Sequence, residues 1–239
     1  MAGHSKWANI KHRKERADKK KGKIFSRLAK EIISSVKQGG PDPRANPKLK
    51  LIIQKAKENN LPNDVIERNI KKASSTDTQD YLEMNYELYG HGGVGIILDI
   101  LTDNKNRIAS EIRIATNKCG GTIAAPGSVA FNFERKGVIQ VLKKNAVEDE
   151  LFLTASEAGA EDFEEEEDIY IITTPYDDLN RVKEALEQNN VPVEEASLDM
   201  LPKVYVNCSS EDEKKNLALI DWLENIEDVD AVYHNMKIS

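Results

Sequence analysis

The spacing of apolar residues changes once along this 239-residue chain, and that change restricts the fold more than any other feature of the sequence. Up to residue 72, apolar side chains recur every three or four positions, which is the period of an amphipathic α-helix. Beyond the polar stretch 73–80 the period falls to two, the alternation typical of β-strands. The pattern therefore predicts a helical N-terminal module followed by mixed α and β structure.

Three short helices are predicted in the first part of the chain. The first ends at residues 39–41, where two glycines precede a proline that cannot continue a helix. Asn46-Pro47 combines an N-cap with a first-turn proline, and Pro62 opens the third helix. Three helices in this order fit a module that includes a helix-turn-helix pair, and they equally fit a simple packing bundle. The pattern does not distinguish the two arrangements. The stripe expected to face inward on the first helix consists of Phe25, Leu28, Ile32 and Val36.

A complete β-α-β-β-α-β order is predicted between residues 138 and 201, and this is the order of a ferredoxin-like sandwich. The six segments are a strand at 138–142, a helix at 146–158, strands at 161–165 and 168–173, a helix at 175–189 and a strand at 193–200.

The segments on either side of this unit suggest a second sandwich. Before it, two strands and a helix lead to a strand through Val129, Phe131 and Phe133, which Lys136-Gly137 interrupts. After it come a strand at 204–206, a helix at 211–225 and a strand at 231–236.

These elements together predict a multi-domain α+β fold: an N-terminal three-helix module followed by two ferredoxin-like α/β sandwich domains, the third inserted into the second. The predicted domains are 1–75 (basic arm and helical bundle), 81–136 plus 203–239, and 137–202. Contiguous domains are the alternative.

The charge is distributed very unevenly. Of 34 Lys and Arg and 41 Asp and Glu, residues 1–72 hold 20 and 7, so that this part has a net charge of +13 and the remainder −20. The basic N-terminal part is expected to bind polyanions, whereas the acidic remainder of the chain is expected to repel them. The alternatives are a solvated tail, or an arm that folds onto the protein's own acidic body.

The first thirty residues supply the candidate nucleic-acid-binding site. Lysine and arginine neutralise phosphates and release counterions, which gives salt-sensitive binding without sequence preference. Trp7 adds a flat ring on which an unpaired base can stack, for ~1–3 kcal/mol. The candidate residues are Lys6, Trp7, Lys11, His12, Arg13, Lys14, Arg16, Lys19, Lys20, Lys21, Lys23 and Arg27.

We expect no catalytic residues, cofactor or metal, and hence no enzyme. Residues 90–95 fit the pattern G-x-G-x-x-G, but they precede a strand instead of opening a helix, so a hairpin turn explains their glycines. The acidic run 164–168 lacks the bend that a hard-cation site needs. Two distant cysteines and the absence of a long apolar run indicate a cytoplasmic protein without a membrane partner. We take a monomer as the default.

The opening run from Ala2 to Lys14, AGHSKWANIKHRK, closely resembles the start of the YebC/PmpR family of bacterial regulatory proteins, which includes a mitochondrial translational activator. One departure is visible, because relatives usually read YEGYGP where residues 86–91 here read YELYGH. Further matches are Asn46-Pro47-Lys48-Leu49, Ala56-Lys57 with Asn60 and Pro62, and Gly127-Ser128-Val129. The resemblance implies three domains, the first helical and the others α+β.

The resemblance also implies regulation through nucleic acid. Some relatives are described as DNA-binding transcriptional regulators, whereas others act in translation, in some bacteria at proline-rich stalls. We expect a DNA-binding transcriptional regulator. The alternatives are an rRNA- or ribosome-binding translation factor that relieves stalled translation, and an enzyme using a cleft between the two α+β domains.

Overall fold

A computed structural model of the chain describes residues 6–11, 21–74 and 80–238, with the backbone alone for 21–23. Its helices are α1 (6–11), α2 (Lys21–Gly39), α3 (Pro47–Glu58), α4 (Asn63–Ala73), α5 (Lys105–Cys119), α6 (Glu148–Glu157), α7 (Leu179–Gln188) and α8 (Ser210–Asn225). Its strands are β1 (Leu82–Tyr89), β2 (Gly95–Thr102), β3 (Thr122–Ile123), β4 (Phe133–Leu142), β5 (Asp162–Glu165), β6 (Ile169–Pro175), β7 (Glu195–Pro202) and β8 (Val229–His234).

Helices α2, α3 and α4 form the predicted helical module around one apolar core. The predicted cap is confirmed, because the side chain of Asn46 accepts a hydrogen bond from the backbone N–H of Leu49 at 3.0 Å. Its amide also donates to the carbonyl of Ser35 at 2.8 Å, which ties the start of α3 to α2. One residue of the predicted stripe is wrong: Phe25 is 40% exposed, and Ile24 packs against the core in its place.

The first sheet has the order β3-β1-β2-β8 and is antiparallel throughout. Helices α5 and α8 cover one of its faces, and their apolar residues form the largest core cluster of the described chain. Helix α2 contacts β2 and therefore links the helical module to this sheet.

The second sheet has the order β5-β6-β4-β7 and is also antiparallel. The six elements predicted between 138 and 201 occur in the predicted order, although β4 starts earlier, at Phe133. Helices α6 and α7 pack on one face of this sheet. Leu151 of α6 and Leu186 of α7 form one apolar core with Ile139 and Ile172 of the strands. The opposite face is therefore free of helices from this unit.

The predicted strand through Val129, Phe131 and Phe133 is wrong. Residues 130–132 form a single 3₁₀ turn, and Phe131 is 64% exposed. The cause is Glu87 on β1, whose carboxylate accepts hydrogen bonds from the backbone of Val129 at 2.6 Å and Ala130 at 2.8 Å. Backbone donors that are bound by a side chain cannot join a strand ladder. These bonds also lower the pKa of Glu87 against the opposing effect of burial.

The predicted interruption at Lys136-Gly137 is also wrong, since β4 continues through both residues. A Cβ at Gly137 would lie 2.2 Å from the hydroxyl oxygen of Thr174 and 2.9 Å from Leu179. The glycine therefore permits close approach of β4 to its neighbours. The strand predicted at 204–206 is reduced to a single bridge between Val206 and Met236.

Candidate nucleic-acid interface

The structure places four of the twelve candidate residues with their side chains: Lys6, Trp7, Lys11 and Arg27. For Lys21 and Lys23 it describes only the helical backbone of α2. The other candidates, His12, Arg13, Lys14, Arg16, Lys19 and Lys20, lie outside the described residues. Their contact with phosphates stays a prediction from charge.

Lys6 on α1 forms an ion pair with the second sheet. Its ammonium lies 2.7 Å from a carboxylate oxygen of Asp162 and 2.7 Å from one of Glu164, both on β5. Burial opposes the charged ammonium, but the hydrogen bonds to the two carboxylates outweigh it and raise the pKa of Lys6. In this conformation Lys6 neutralises the protein's own carboxylates and is not available to a phosphate.

Trp7 and Ile10 make the apolar side of α1. Both pack against Val138, Ile171 and Leu201 on the helix-free face of the second sheet, and Ile10 is only 3% exposed. The Trp7 ring is half-buried, so its stacking on an unpaired base stays a prediction that requires movement of α1.

The remaining contacts of α1 reach the other sheet. The side-chain amide of Asn9 donates to the backbone carbonyl of Met236 at 2.9 Å and, more weakly, to that of His234 at 3.3 Å. Lys11, in contrast, is exposed at the end of the described segment. Segment α1 therefore touches both α+β parts of the molecule.

Arg27 on α2 also pairs within the protein. Its guanidinium lies 2.7 Å from Glu31 one turn along the helix and 3.6 Å from Asp230 on β8. Burial opposes its charge, but the two carboxylates outweigh that effect and raise the pKa of Arg27. Arg27 therefore serves to dock the helical module on the first sheet.

Asp230 is held in an environment that disfavours its charge. Burial raises the pKa of Asp230 to about 6, although attraction to Arg27 acts in the opposite direction; the other charged groups facing it are Glu31, Lys30 and Asp99. A carboxyl whose folded-state pKa exceeds its unfolded value stabilises the fold below the unfolded pKa, and the stability is lost as pH rises through the folded pKa.

We therefore expect Asp230→Asn to match the wild type in stability at pH 4 and to exceed it by roughly 2 kcal/mol at pH 7.5, from a shift of about two pH units reduced for partial exposure. Urea unfolding at several pH values measures the difference. Glu184→Gln on the exposed side of α7 removes the same charge and should change stability by less than about 0.5 kcal/mol. An advantage of Asp230→Asn that does not vary with pH would contradict the expectation.

A second group of cations lies on α3 and α4. Helix α3 carries Lys50 and Lys57 two turns apart, so both lie on one side of the helix. These two lysines and the other cations of the group are exposed, and no described carboxylate forms an ion pair with them. The group consists of Lys50, Lys55, Lys57, Arg68 and Lys71, and we call it the free cation group.

The residues of the free cation group were not among the twelve candidates predicted from the sequence. Its signal was present in the sequence as lysines at the positions of α3 that alternate with the buried Leu49, Ile52 and Ala56. Asn69 on α4 donates its side-chain amide to the carbonyl of Val65 at 2.8 Å. In this conformation that amide proton is used within its own helix.

The glycine-rich turn at 90–95 has a structural explanation. Gly92 and Gly93 have φ of +65° and +81°, and the turn connects β1 to β2 as predicted. A Cβ at Gly90 would lie 2.3 Å from the side-chain oxygen of Asn216, which accepts a hydrogen bond from the backbone of His91. The glycines therefore allow the turn to pack against α8.

Neither metal ligands nor a membrane span emerge from the described residues. Within the ranges that the structure covers, no three His, Cys, Asp or Glu side chains converge as metal ligands would. Likewise, no helix among these residues has the length and hydrophobicity required to cross a bilayer.

The helical module and the two antiparallel sheets define a multi-domain α+β protein. The family model for the TACO1/YebC N-terminal domain matches residues 5–76, and the model for the TACO1/YebC second and third domain matches residues 81–236. The chain therefore belongs to the TACO1/YebC family, which confirms the resemblance seen in its opening residues.

Its relatives match over nearly their full length. A probable transcriptional regulatory protein of Protochlamydia amoebophila is 66% identical over 238 residues, covering 100% of this chain and 97% of the relative. A protein of the same description from Chlamydia pneumoniae is 58% identical, covering 99% and 100%. The crystal structure of a conserved hypothetical protein from Aquifex aeolicus has 41% identity and a TM-score of 0.78, covering 91% of this chain and 90% of that one.

Proposed function

We propose that this protein is a nucleic-acid-binding regulatory protein whose target is duplex DNA, and that it acts as a transcriptional regulator. The names of the relatives from Protochlamydia amoebophila and Chlamydia pneumoniae support a regulatory role in transcription. The observation that carries the nucleic-acid partner is the free cation group. Its five exposed charges have no described carboxylate partner, on a module whose net charge is strongly positive.

The mechanism is electrostatic. Cations of the arm between residues 11 and 23 and those of the free cation group contact phosphates and release condensed counterions, which favours binding at low salt. The acidic remainder of the chain repels the same polymer and restricts contact to the helical side. Phosphate contacts fix position without reading sequence, so we assign no base-reading residue.

We also propose how the chain is divided into domains. The strand order β5-β6-β4-β7 and the β-α-β-β-α-β sequence support a ferredoxin-like third domain at 133–202. Because β8 pairs with β2, residues on both sides of that unit share the first sheet, which supports the insertion of the third domain into the second. We propose a cytoplasmic monomer that binds without catalysis or cofactor.

Three binding partners test the proposal. A labelled 30-base-pair duplex, a single-stranded RNA of equal length and purified ribosomes should be compared at 150 mM salt. Binding to the duplex that equals or exceeds binding to the other two supports the DNA target. Weak duplex binding together with tight cosedimentation with ribosomes would contradict the DNA target and support a function in translation.

Neutralising part of the free cation group should weaken duplex binding and its salt dependence together. For Lys50→Gln/Lys55→Gln/Lys57→Gln we expect the negative slope of log K, the association constant, against log salt to become shallower. Its magnitude should decrease by about 0.9 for each lysine that contacts a phosphate, hence by up to ~2.7. Fluorescence anisotropy between 50 and 200 mM salt measures this slope. The matched control, Lys118→Gln/Lys144→Gln/Lys214→Gln, removes three exposed lysines from the acidic remainder. Equal slopes for the two triple variants would refute a role for α3.

A further inference from the structure

The helix-free face of the second sheet combines apolar and acidic residues. Cross-strand partners and every second residue along a strand share a face of a sheet. By this rule Val138, Ile171 and Leu201 lie on one face, opposite to α6 and α7. Asp162 and Glu164 lie on the same face at the outer strand β5, because Asp162 pairs with Thr173 and Glu164 with Ile171. The face therefore carries an apolar patch of Val138, Ile171 and Leu201 among polar residues, and two carboxylates on the outer strand β5.

Segment α1 is complementary to this face. Its apolar residues Trp7 and Ile10 cover the apolar patch, and its cation Lys6 reaches both carboxylates on β5. The side chain of Lys6 is 17% exposed, so the ion pair is largely shielded from solvent. A short cationic amphipathic helix is thus the ligand that this face fits, and the chain supplies it from its own N-terminal part.

The contact between α1 and the rest of the protein is small. It consists of the apolar packing of Trp7 and Ile10, the two ion pairs of Lys6 and the two hydrogen bonds of Asn9. A cavity of about 20 Å³ lies beside α1, between Asn9, Ile10 and Leu201.

The ammonium of Lys6 cannot serve the sheet and a phosphate at the same time. The sequence that continues from α1 carries the cations of the arm, and a polyanion bound there offers Lys6 many phosphate oxygens in place of two carboxylates. We infer that α1 is a displaceable ligand of the second sheet: it docks on the acidic and apolar face in the free protein, and binding of nucleic acid to the arm releases it. This inference rests on the proposed function.

Trp7 provides a direct readout, because the chain has only two tryptophans. Trp222→Phe leaves Trp7 as the single indole, and heparin serves as a polyanion that has no bases to stack on it. Adding heparin should move the Trp7 emission to longer wavelength, toward that of the same variant unfolded in urea. The 30-base-pair duplex, labelled for anisotropy, should compete with heparin and also release the ring from the sheet.

The outcomes separate the two proposals. Duplex binding by anisotropy with an unchanged Trp7 emission in heparin overturns the displacement and leaves the proposed function standing. A shift in heparin without any duplex binding supports displacement by polyanions and contradicts the DNA target. Failure of both polyanions to bind contradicts both proposals.

Loosening α1 from the sheet should strengthen nucleic-acid binding. In Asp162→Asn/Glu164→Gln we expect Trp7 to emit at longer wavelength before any ligand is added. Duplex affinity should rise by about 10-fold if α1 is docked in roughly nine molecules of ten. The matched control, Asp149→Asn/Glu150→Gln, removes two negative charges from α6 on the other side of the sheet. Equal gains in affinity for both variants would show that total charge alone is responsible, and would overturn the inference.

Discussion

Replacing the eight lysines and arginines between residues 11 and 23 by glutamine is expected to lower duplex affinity by about 10³-fold or more at 150 mM salt. Each cation that contacts a phosphate adds about 0.9 to the slope of log K against log salt, so that eight contacts account for a slope of about 7. Anisotropy titrations with a labelled duplex at several salt concentrations measure both quantities. The residues replaced are Lys11, Arg13, Lys14, Arg16, Lys19, Lys20, Lys21 and Lys23.

The matched control keeps the charge and changes the chemistry of the side chain. Arginine in place of the six lysines of this set should preserve the salt slope, because the interaction with phosphates depends on positive charge. Lys6 is left unchanged in both variants, so that its ion pairs with the sheet are retained. Wild-type affinity in the glutamine variant would show that the arm is a solubility tail and would leave the free cation group as the proposed phosphate contact.

The parts of the fold that the sequence predicted correctly depend on neighbouring residues. Asn46-Pro47 begins α3 as expected, since an N-cap and a first-turn proline act within one helical turn. The element order between 138 and 201 was predictable for the same reason, because the apolar spacing within each segment indicates whether it is a helix or a strand.

The errors arise where distant residues determine the backbone. Alternating Val129, Phe131 and Phe133 predicted a strand, but the carboxylate of Glu87, some forty residues earlier, binds the backbone donors of that segment. Gly137 looked like a break, whereas it allows close contact with Thr174. A pattern read along the chain contains neither of these tertiary contacts.

The candidate interface shows the same limit. Charge alone identified the cationic front end, and one of the alternatives considered was that the arm folds onto the acidic body. The structure shows this arrangement for Lys6, which pairs with Asp162 from 156 residues away. Sequence separation of this size left no signal that would single out Asp162 and Glu164 within a long acidic stretch.

Among the substitutions considered, we expect the largest loss of stability at the contact between the helical module and the first sheet. Asp228 has a side chain that is 2% exposed and binds three donors: Lys30 of α2 at 2.8 Å, Thr102 of β2 at 2.9 Å and Arg107 of α5. Lys30 is itself 9% exposed. Removing the carboxylate leaves that ammonium buried beside the more distant Glu227, at 3.7 Å. We therefore expect Asp228→Ala to lower the free energy of unfolding by about 3–5 kcal/mol, measured by urea unfolding at pH 7.

Glu227 gives a matched control, because it pairs with the same Lys30 but has a side chain that is 78% exposed. Glu227→Ala should cost less than about 1 kcal/mol, as exposed ion pairs do. Although burial acts in the opposite direction, Lys30, Arg107 and Thr102 lower the pKa of Asp228. Its contribution is therefore present above the unfolded pKa of about 4 and is lost as pH falls through the lower folded value. Equal losses for the two alanine variants, or a loss for Asp228→Ala that does not shrink in acid, would mean that the module is held to the sheet by apolar packing alone.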